Sequence, residues 1–427
     1  MGKNVFSNSR STYGTSKKSS SRGEIAVLRM GNLQQGEIDY SDLVYSSDKE
    51  DIDKYLLTYG DLLFNRTNSS EWVGKTAIYR GEVSAIYAGY LIRIRSFLDA
   101  EYLNSVMNSK YAKEICLLVK TDAVNQSNIN ATKLGRFLIP VPPLSEQVRI
   151  SNMVSEALYW NNFIEIKKLE LEQYIQQIKS KILDLAIRGK LVPQNPNDEP
   201  ASVLLERIRA EKEELIKQGK IKRDKKETII FRGDDNSYYE KNGENIVNIA
   251  DEIPFGIPRN WSFIRLKDVL EYEQPTPYIV ESTDYKNDYS IPVLTAGKSF
   301  IIGYTNETSG IKTDLPVIIF DDFTTDSKYV DFPFKVKSSA MKILTANEKL
   351  INTKYAFYAM QCIECDCYNH KRYWISDFSN KLIPLPPLEE QLNIVHTIEK
   401  LYNYIEKPQL RLFSISLIKS KKNVDFI

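Results

Sequence analysis

A run of eleven residues that occurs twice constrains this chain more than any other feature in it. Phe137-Leu138-Ile139-Pro140-Val141-Pro142-Pro143-Leu144-Ser145-Glu146-Gln147 returns 244 positions later as Lys381-Leu382-Ile383-Pro384-Leu385-Pro386-Pro387-Leu388-Glu389-Glu390-Gln391. In each copy an apolar, strand-like tail runs into prolines that stop it, and Leu-x-Glu-Gln then opens a helical pattern. A spacing of 244 residues is far too long for a solenoid, so the chain reads as two domain-plus-helix units in tandem. Its 427 residues also exceed what one growing core holds.

Both globular parts read as α+β. The first has short β-rich pieces at 25–30, 60–65, 76–79 and 86–95, then a helix over 99–119. The second opens with Pro254-Phe255-Gly256-Ile257-Pro258-Arg259-Asn260-Trp261. It continues through pieces at 262–271, 291–295, 299–304, 316–323 and 341–344, and a helix at about 351–364 closes it. After the first joint Ile164, Leu171, Ile175, Ile178, Ile182 and Leu185 fall on a 4-3 spacing that Gly189 and Pro193 end. A helix over 145–188 would be roughly 65 Å long, and such a seam needs a partner. Ile394, Ile398, Leu401 and Ile405 supply the same register after the second joint. The expectation is two long antiparallel helices, a coiled-coil spacer with pseudo-twofold symmetry between the domains, and a kink or break at Pro408. A polar stretch over 193–200, a charged helix around 201–219 and a loop or linker over 227–250 fill the middle. The predicted division is therefore 1–143, 144–226, 227–250, 251–387 and 388–427.

A 42% hydrophobic, 26% charged composition is that of a globular protein. No apolar run approaches the ~20 residues of a membrane span, and the polar start is no secretory leader. Four cysteines, three of them at 362, 365 and 367, make no disulfide framework and point to a reducing, cytoplasmic setting. A net charge of +1 gives no global argument for nucleic acid. Local charge does: residues 1–22 carry five basic residues and no acid, and 207–226 carry nine against four acids.

Contact with DNA needs Arg or Lys for phosphates and guanine edges, and Asn or Gln for adenine edges, on loops. Three stretches qualify: Gly14 to Arg22 with Lys17, Lys18 and Arg22; Asn65-Arg66-Thr67-Asn68-Ser69; and Asn369-His370-Lys371-Arg372-Tyr373-Trp374. Lys75, Lys298 and Lys328 are further candidates. The competing reading of each is a solvated polar loop. Gly74-Lys75-Thr76 and Gly297-Lys298-Ser299 end like phosphate-binding loops, but Ser69 and Pro292 stand where the first glycine is required, so no nucleotide cofactor is expected. Asp321 with Asp326-Ser327-Lys328 has the look of a metal-dependent nuclease, and Cys362, Cys365, Cys367 and His370 offer four zinc donors. Neither pattern has a specific spacing, and no metal is expected.

The chain resembles the specificity subunit of a type I DNA restriction-modification system. The resemblance rests on Gly60-Asp61-Leu62-Leu63-Phe64-Asn65-Arg66-Thr67, the paired Pro-Pro-Leu-x-Glu-Gln joints, Leu185-Ala186-Ile187-Arg188-Gly189-Lys190-Leu191-Val192-Pro193-Gln194, and the opening Ile257-Pro258-x-x-Trp261. Together these cover nearly the whole chain. The resemblance implies two target-recognition domains, each reading half of a split, asymmetric site in double-stranded DNA. It implies helices that space the domains and dock two modification subunits, and catalysis left to the modification and restriction (translocase) chains. The first domain departs from the pattern, having no counterpart of the Pro254 to Leu270 opening. The alternatives are a nuclease using Asp321, Asp326 and Lys328, and a coiled-coil assembly protein without DNA affinity.

Overall fold

A computed structural model describes residues 12–69, 73–123, 126–220, 228–297, 299–364 and 373–423, without the side chains of 123, 126 and 408–423. The chain divides into two compact units, residues 1–169 with 416–427, and residues 170–415.

The first unit contains β1 (Thr12–Tyr13), β2 (Ile25–Leu28), β3 (Val44–Ser46), β4 (Leu62–Asn65), β5 (Thr76–Ile78), β6 (Ala85–Tyr87) and β7 (Leu91–Ile94). They form a sheet in the order β1-β7-β4-β5 and another in the order β3-β2-β6, with β2 and β6 parallel. The second unit repeats this arrangement. Its strands are β8 (Ser262–Arg265), β9 (Leu270–Glu273), β10 (Ile291–Leu294), β11 (Ile301–Thr305), β12 (Val317–Asp321), β13 (Ser327–Val330), β14 (Lys335–Val336), β15 (Met341–Ala346) and β16 (Leu382–Leu385). The sheets run β9-β15-β12-β13 and β11-β10-β14, again with the parallel pair in the second. Phe64 faces Ile92 in one unit and Phe320 faces Lys342 in the other, so Asn65 and Asp321 end corresponding strands. By the same register Thr12 stands where Glu273 stands. The duplication read from one motif thus extends to both sheets.

Each joint is built around its glutamine. In the first unit α1 (Ala100–Asn108) and α2 (Lys110–Val119) meet at Ser109, whose hydroxyl caps the second; this splits the single helix expected over 99–119. Asp99 caps α1, and its N–H donates to Gln147 Oε1 at 2.9 Å while Gln147 Nε2 donates to the Pro142 carbonyl at 2.9 Å. Gln147 lies in the first turns of α3 (Leu144–Ile187). The second unit has α4 (Ala201–Lys217), α5 (Thr353–Met360) and α6 (Leu388–Asn423). Asn352 caps α5, its N–H donates to Gln391 Oε1 at 2.8 Å, and Gln391 Nε2 donates to the Pro386 carbonyl at 2.9 Å. Tyr102 and Tyr355 complete the pair, donating to the carbonyls of Pro140 and Pro384, each at 2.9 Å. Proline carbonyls need donors once buried, and the repeated glutamine and tyrosine supply them.

Within the second unit, α3 and α6 run antiparallel. Lys179 reaches Glu406 at 2.6 Å, whereas Gln194, beyond the end of α3, reaches Glu390 near the start of α6. Of the expected seam, Ile175, Ile182, Ile394 and Ile398 are buried, and Leu171, Leu185, Leu401 and Ile405 are half-buried. Ile164 and Ile178 are 51% and 47% exposed. Ile182, Ile394 and Ile398 share one core with Leu183, Ala186, Ile187, Trp261, Leu344, Tyr355 and Ile383. Backbone helix continues through Pro408, contrary to the expected break, because one missing N–H leaves the neighbouring turns bonded.

Residues 227–250 are not a simple linker. Ile229–Arg232, Tyr238–Asn242 and Asn245–Asn248 form an antiparallel sheet turned at Asn236 (φ 65°) and at Gly243 (φ 61°). It is tied to β8 by Arg265, whose guanidinium donates to both Glu240 oxygens at 2.6 and 2.7 Å and to Glu252 at 3.1 Å. The 262–271 piece also breaks into β8, a single helical turn over Leu266–Val269, and β9.

Candidate nucleic-acid interface

The duplicated four-stranded sheets end in the same way. β4 and β12 run into the loops that lead to β5 and β13, and Asn65, Arg66, Asn68 and Lys75 of the sequence-selected residues lie at the first of these.

In the first unit Asn65 is fully buried, and its backbone fixes the loop base: Asn65 N–H donates to the Lys75 carbonyl, and Gly74 N–H donates back to Asn65 O, each at 2.8 Å. The Asn65 side chain is turned into the loop, accepting from the Thr67 N–H at 3.4 Å. Arg66, the next residue, is half-buried and stacks over Tyr13 of β1 with 4.6 Å to the ring centroid. Its Nε is buried without a hydrogen-bond acceptor among the described residues. Thr67 and Asn68 pair with residues 126–128 in a small sheet, and Asn128 donates to Thr67 Oγ1 at 2.8 Å. Lys75 is half-buried, donates to Gln34 Oε1 at 3.2 Å, and has its pKa lowered by burial. The Gly14 to Arg22 segment is fastened rather than flexible. Thr15 N–H bonds Tyr87 O, and Ser20 and Tyr45 exchange backbone hydrogen bonds. Gly14 fits so tightly that a Cβ there would lie 2.0 Å from Tyr87 O. Lys17 points at Asp48 (2.8 Å) and Asp51 (3.6 Å), and the hydrogen bond to Asp48 raises its pKa. Lys18 and Arg22 are exposed.

In the second unit the loop Asp322 to Asp326 projects beyond β12. Asp321 spends its carboxylate on the loop backbone, accepting from the N–H groups of Phe323 (2.9 Å) and Thr324 (3.1 Å). That leaves it a turn former rather than a nuclease ligand, and no acidic, His or Cys group suited to a metal occurs among the described residues. Thr325 adopts φ 61°, a left-handed conformation that costs a β-branched residue energy and is held only where surroundings demand it. Phe323 at the tip is 41% exposed. Beneath it Asp322 is buried and takes the N–H of Trp374 at 2.9 Å, while its carbonyl takes the N–H of Tyr373 at 2.9 Å. Buried Lys342 stands 3.6 Å from Asp322 and donates to Gln274 at 3.1 Å. Trp374 is 1% exposed, packed with Phe320 and Phe378, so it is core and not a stacking surface. Lys328 is half-buried on β13. Lys298, Lys371 and Arg372 lie outside the described residues, as do three of the four zinc candidates, Cys365, Cys367 and His370. Cys362 is described, and burial pushes its thiol up to about 12, a packed group rather than a thiolate ligand.

Sequence reading missed Tyr13, Phe323 and Thr325. Asp-Asp-Phe-Thr-Thr-Asp directly after the apolar run Val317 to Phe320 was available as a turn, since Asp and Thr bond their own backbone. What it lacked was any sign that the phenylalanine faces out.

A family model described as the type I restriction modification DNA specificity domain matches residues 4–177 and 258–411. The chain belongs to this family. It is 51% identical over 138 residues to the type I restriction enzyme EcoR124I/EcoR124II specificity subunit of Escherichia coli, a match covering 31% of this chain and about a third (33%) of that relative. It is 24% identical over 420 residues to a putative type I restriction enzyme MjaX specificity subunit of Methanocaldococcus jannaschii, covering 95% of this chain and 87% of that one. A chain from a solved structure concerned with complex assembly and conformational transition of the type I R-M system shares the fold at a TM-score of 0.57 and 13% identity, over 96% of this chain and 93% of that chain. No helix among the described residues is long and apolar enough to cross a membrane.

Proposed function

We propose that this chain is the DNA sequence-specificity subunit of a type I restriction-modification complex and performs no chemistry itself. The observation that carries the reading is the family match to both units, each ending its four-stranded sheet in a loop of different sequence. Residues 1–143 and 251–387 are the two target-recognition domains. Because Arg66, Thr67 and Asn68 occupy one loop and Phe323, Thr324 and Thr325 the other, the half-sites differ and the site is bipartite and asymmetric. Lys17, Lys18, Arg22, Lys75, Lys298, Lys328, Lys371 and Arg372 serve phosphates, which position a reader without specifying sequence.

Two modification subunits dock on the long helices, and restriction (translocase) subunits join through them. The exposed aromatics Tyr159, Trp160 and Phe163 on α3 support that role, since a contiguous apolar face of this kind marks a protein contact. The complex acts in the cytoplasm, on double-stranded DNA.

The test is to map methylated adenines in cells carrying this chain with its modification partner and in cells lacking it. A split motif that vanishes on deletion is expected. An unchanged methylation pattern, with the partner expressed and bound, would overturn the reading. Cleavage of DNA by the isolated chain with magnesium would replace it with the nuclease, and partner binding without salt-sensitive DNA affinity would replace it with a bare scaffold.

A further inference from the structure

The two units fill one corner of their four-stranded sheets with opposite charge. Counting from Phe64 and Phe320, Arg66 stands where Asp322 stands, and Ile92 where Lys342 stands. Tyr13 follows Thr12 as Gln274 follows Glu273, so these two also correspond. In the second unit the corner is closed upon itself. The buried Asp322 carboxylate takes the Trp374 N–H at 2.9 Å and lies 3.6 Å from the buried Lys342 ammonium, which donates to Gln274 at 3.1 Å. In the first unit a fully buried isoleucine holds the lysine's place, and the charged residue is a cation. No described residue gives the Arg66 guanidinium an ion pair or a hydrogen-bond acceptor, and of its three nitrogens Nε alone is buried. A donor withdrawn from water without an acceptor is unfavourable, so this corner is incomplete without a ligand.

We propose that Arg66 is the residue with which the first domain reads a guanine, and that Tyr13 positions it. The proposal rests on the DNA-reading function argued above and names a base that this loop selects. The arginine is fixed before any ligand arrives. Its N–H donates to Tyr90 O at 3.2 Å, its carbonyl accepts the Ile129 N–H at 2.9 Å, and its guanidinium lies 4.6 Å from the Tyr13 ring centroid. Tyr13 is held in turn by β7, opposite Ile92, and by its hydroxyl, which accepts the Ala131 N–H at 3.3 Å. Neighbouring side chains hold the loop itself: Thr67 Oγ1 accepts from Asn128, and Asn68 Oδ1 from the Ser69 N–H, each at 2.8 Å. What remains for a ligand is the terminal edge of the guanidinium, two donors in one plane. In the major groove guanine presents two acceptors, O6 and N7, side by side, and no other base does. A phosphate accepts the same fork, but a phosphate needs only a point charge, which the exposed Lys18 and Arg22 supply without a ring to orient them.

The experiment first maps the methylated motif of the full chain with its modification partner. It then measures binding of that complex to duplexes in which each guanine of the motif is replaced singly by 7-deazaguanine, which lacks the N7 acceptor. Wild type should lose about tenfold or more at one guanine of one half-site. Arg66→Ala should be insensitive to that one replacement, should keep wild-type sensitivity in the other half-site, and should methylate sites carrying another base there. Arg66→Lys, which keeps the charge and most of the stem, should relax the same position and guards against a misfolded alanine variant. Tyr13→Phe should retain the discrimination and Tyr13→Ala should lose it; wild-type discrimination in Tyr13→Ala would overturn the positioning role. Equal sensitivity of wild type and both Arg66 variants to every replaced guanine overturns the proposal. So does a uniform loss of affinity across all duplexes with a shallower salt dependence, which would assign Arg66 to a phosphate. Absence of any motif in the wild type would instead overturn the DNA-reading function, and the proposal with it.

Discussion

Leu385 and Val141 occupy the same place in the two copies of the repeat, yet Leu385 is fully buried and Val141 is 53% exposed. The glutamines six residues further on, Gln391 and Gln147, are 0% and 3% exposed and make the same two bonds. What the repeat encodes is therefore a polar lock between a domain and its long helix. The cover over that lock comes from elsewhere in the chain, and among the described residues the second unit shows it. The largest effect is expected where the cover is removed. Trp261→Ala empties a buried indole site and leaves Glu390 short of a donor, which should cost the second unit about 3–5 kcal/mol. Denaturant unfolding followed in each unit separately should show the loss in residues 170–415 alone; an equal loss in the first unit would break the comparison.

The lock itself should behave alike in both units. Gln147→Ala and Gln391→Ala each strand a buried N–H and a proline carbonyl, at a cost of about 1–3 kcal/mol. Similar shifts in the two unfolding transitions are expected, and a silent Gln147→Ala would show that the exposed joint lets water do the glutamine's work.

A smaller and opposite difference should appear with pH. Burial pushes the Glu390 carboxyl above its ordinary range, against the hydrogen bonds from Trp261 and Gln194 that pull it down. A carboxyl whose pKa folding raises holds its proton more tightly in the native state. Its contribution is full below the unfolded value, about 4.3, and is withdrawn as pH rises through the folded value. The second unit should lose part of its stability on going from acid toward neutral pH, and Glu390→Gln should flatten that fall. A slope unchanged in the variant would place the titration elsewhere.

The repeat made the duplication legible because proline carbonyls and their donors must be written as particular residues. The sheet over 229–248 was not legible in the same way. Its strands are mostly exposed or half-buried, so no apolar alternation marks them, although Asn242-Gly243 is a hairpin turn pair that argued for it. Burial also stood outside what side-chain identity shows. Asn65 and Trp374 have the right chemistry for DNA, but one ends a central strand and the other fills a core with Phe320 and Phe378. Near its end α3 meets a globular core, so Leu183, Ala186 and Ile187 are buried beside Ile182 of the heptad spacing. Arg66 was selected because its loop is polar on both sides, and Phe323 was not because an apolar residue beside a strand is read as core.

The smallest expected effect is also the sharpest. Val141→Lys should change the stability of the first unit by no more than about 0.5 kcal/mol, as surface substitutions usually do. At Leu385, fully buried opposite Ser262, the same substitution would force a charge into a core and prevent folding. Thermal melts of the two variants measure this directly. If Val141→Lys proves as damaging as Leu385→Lys, then a strand already covers the first joint in solution, and the two units are alike. If it is silent, the edge at Leu138 to Val141 is open in the isolated chain.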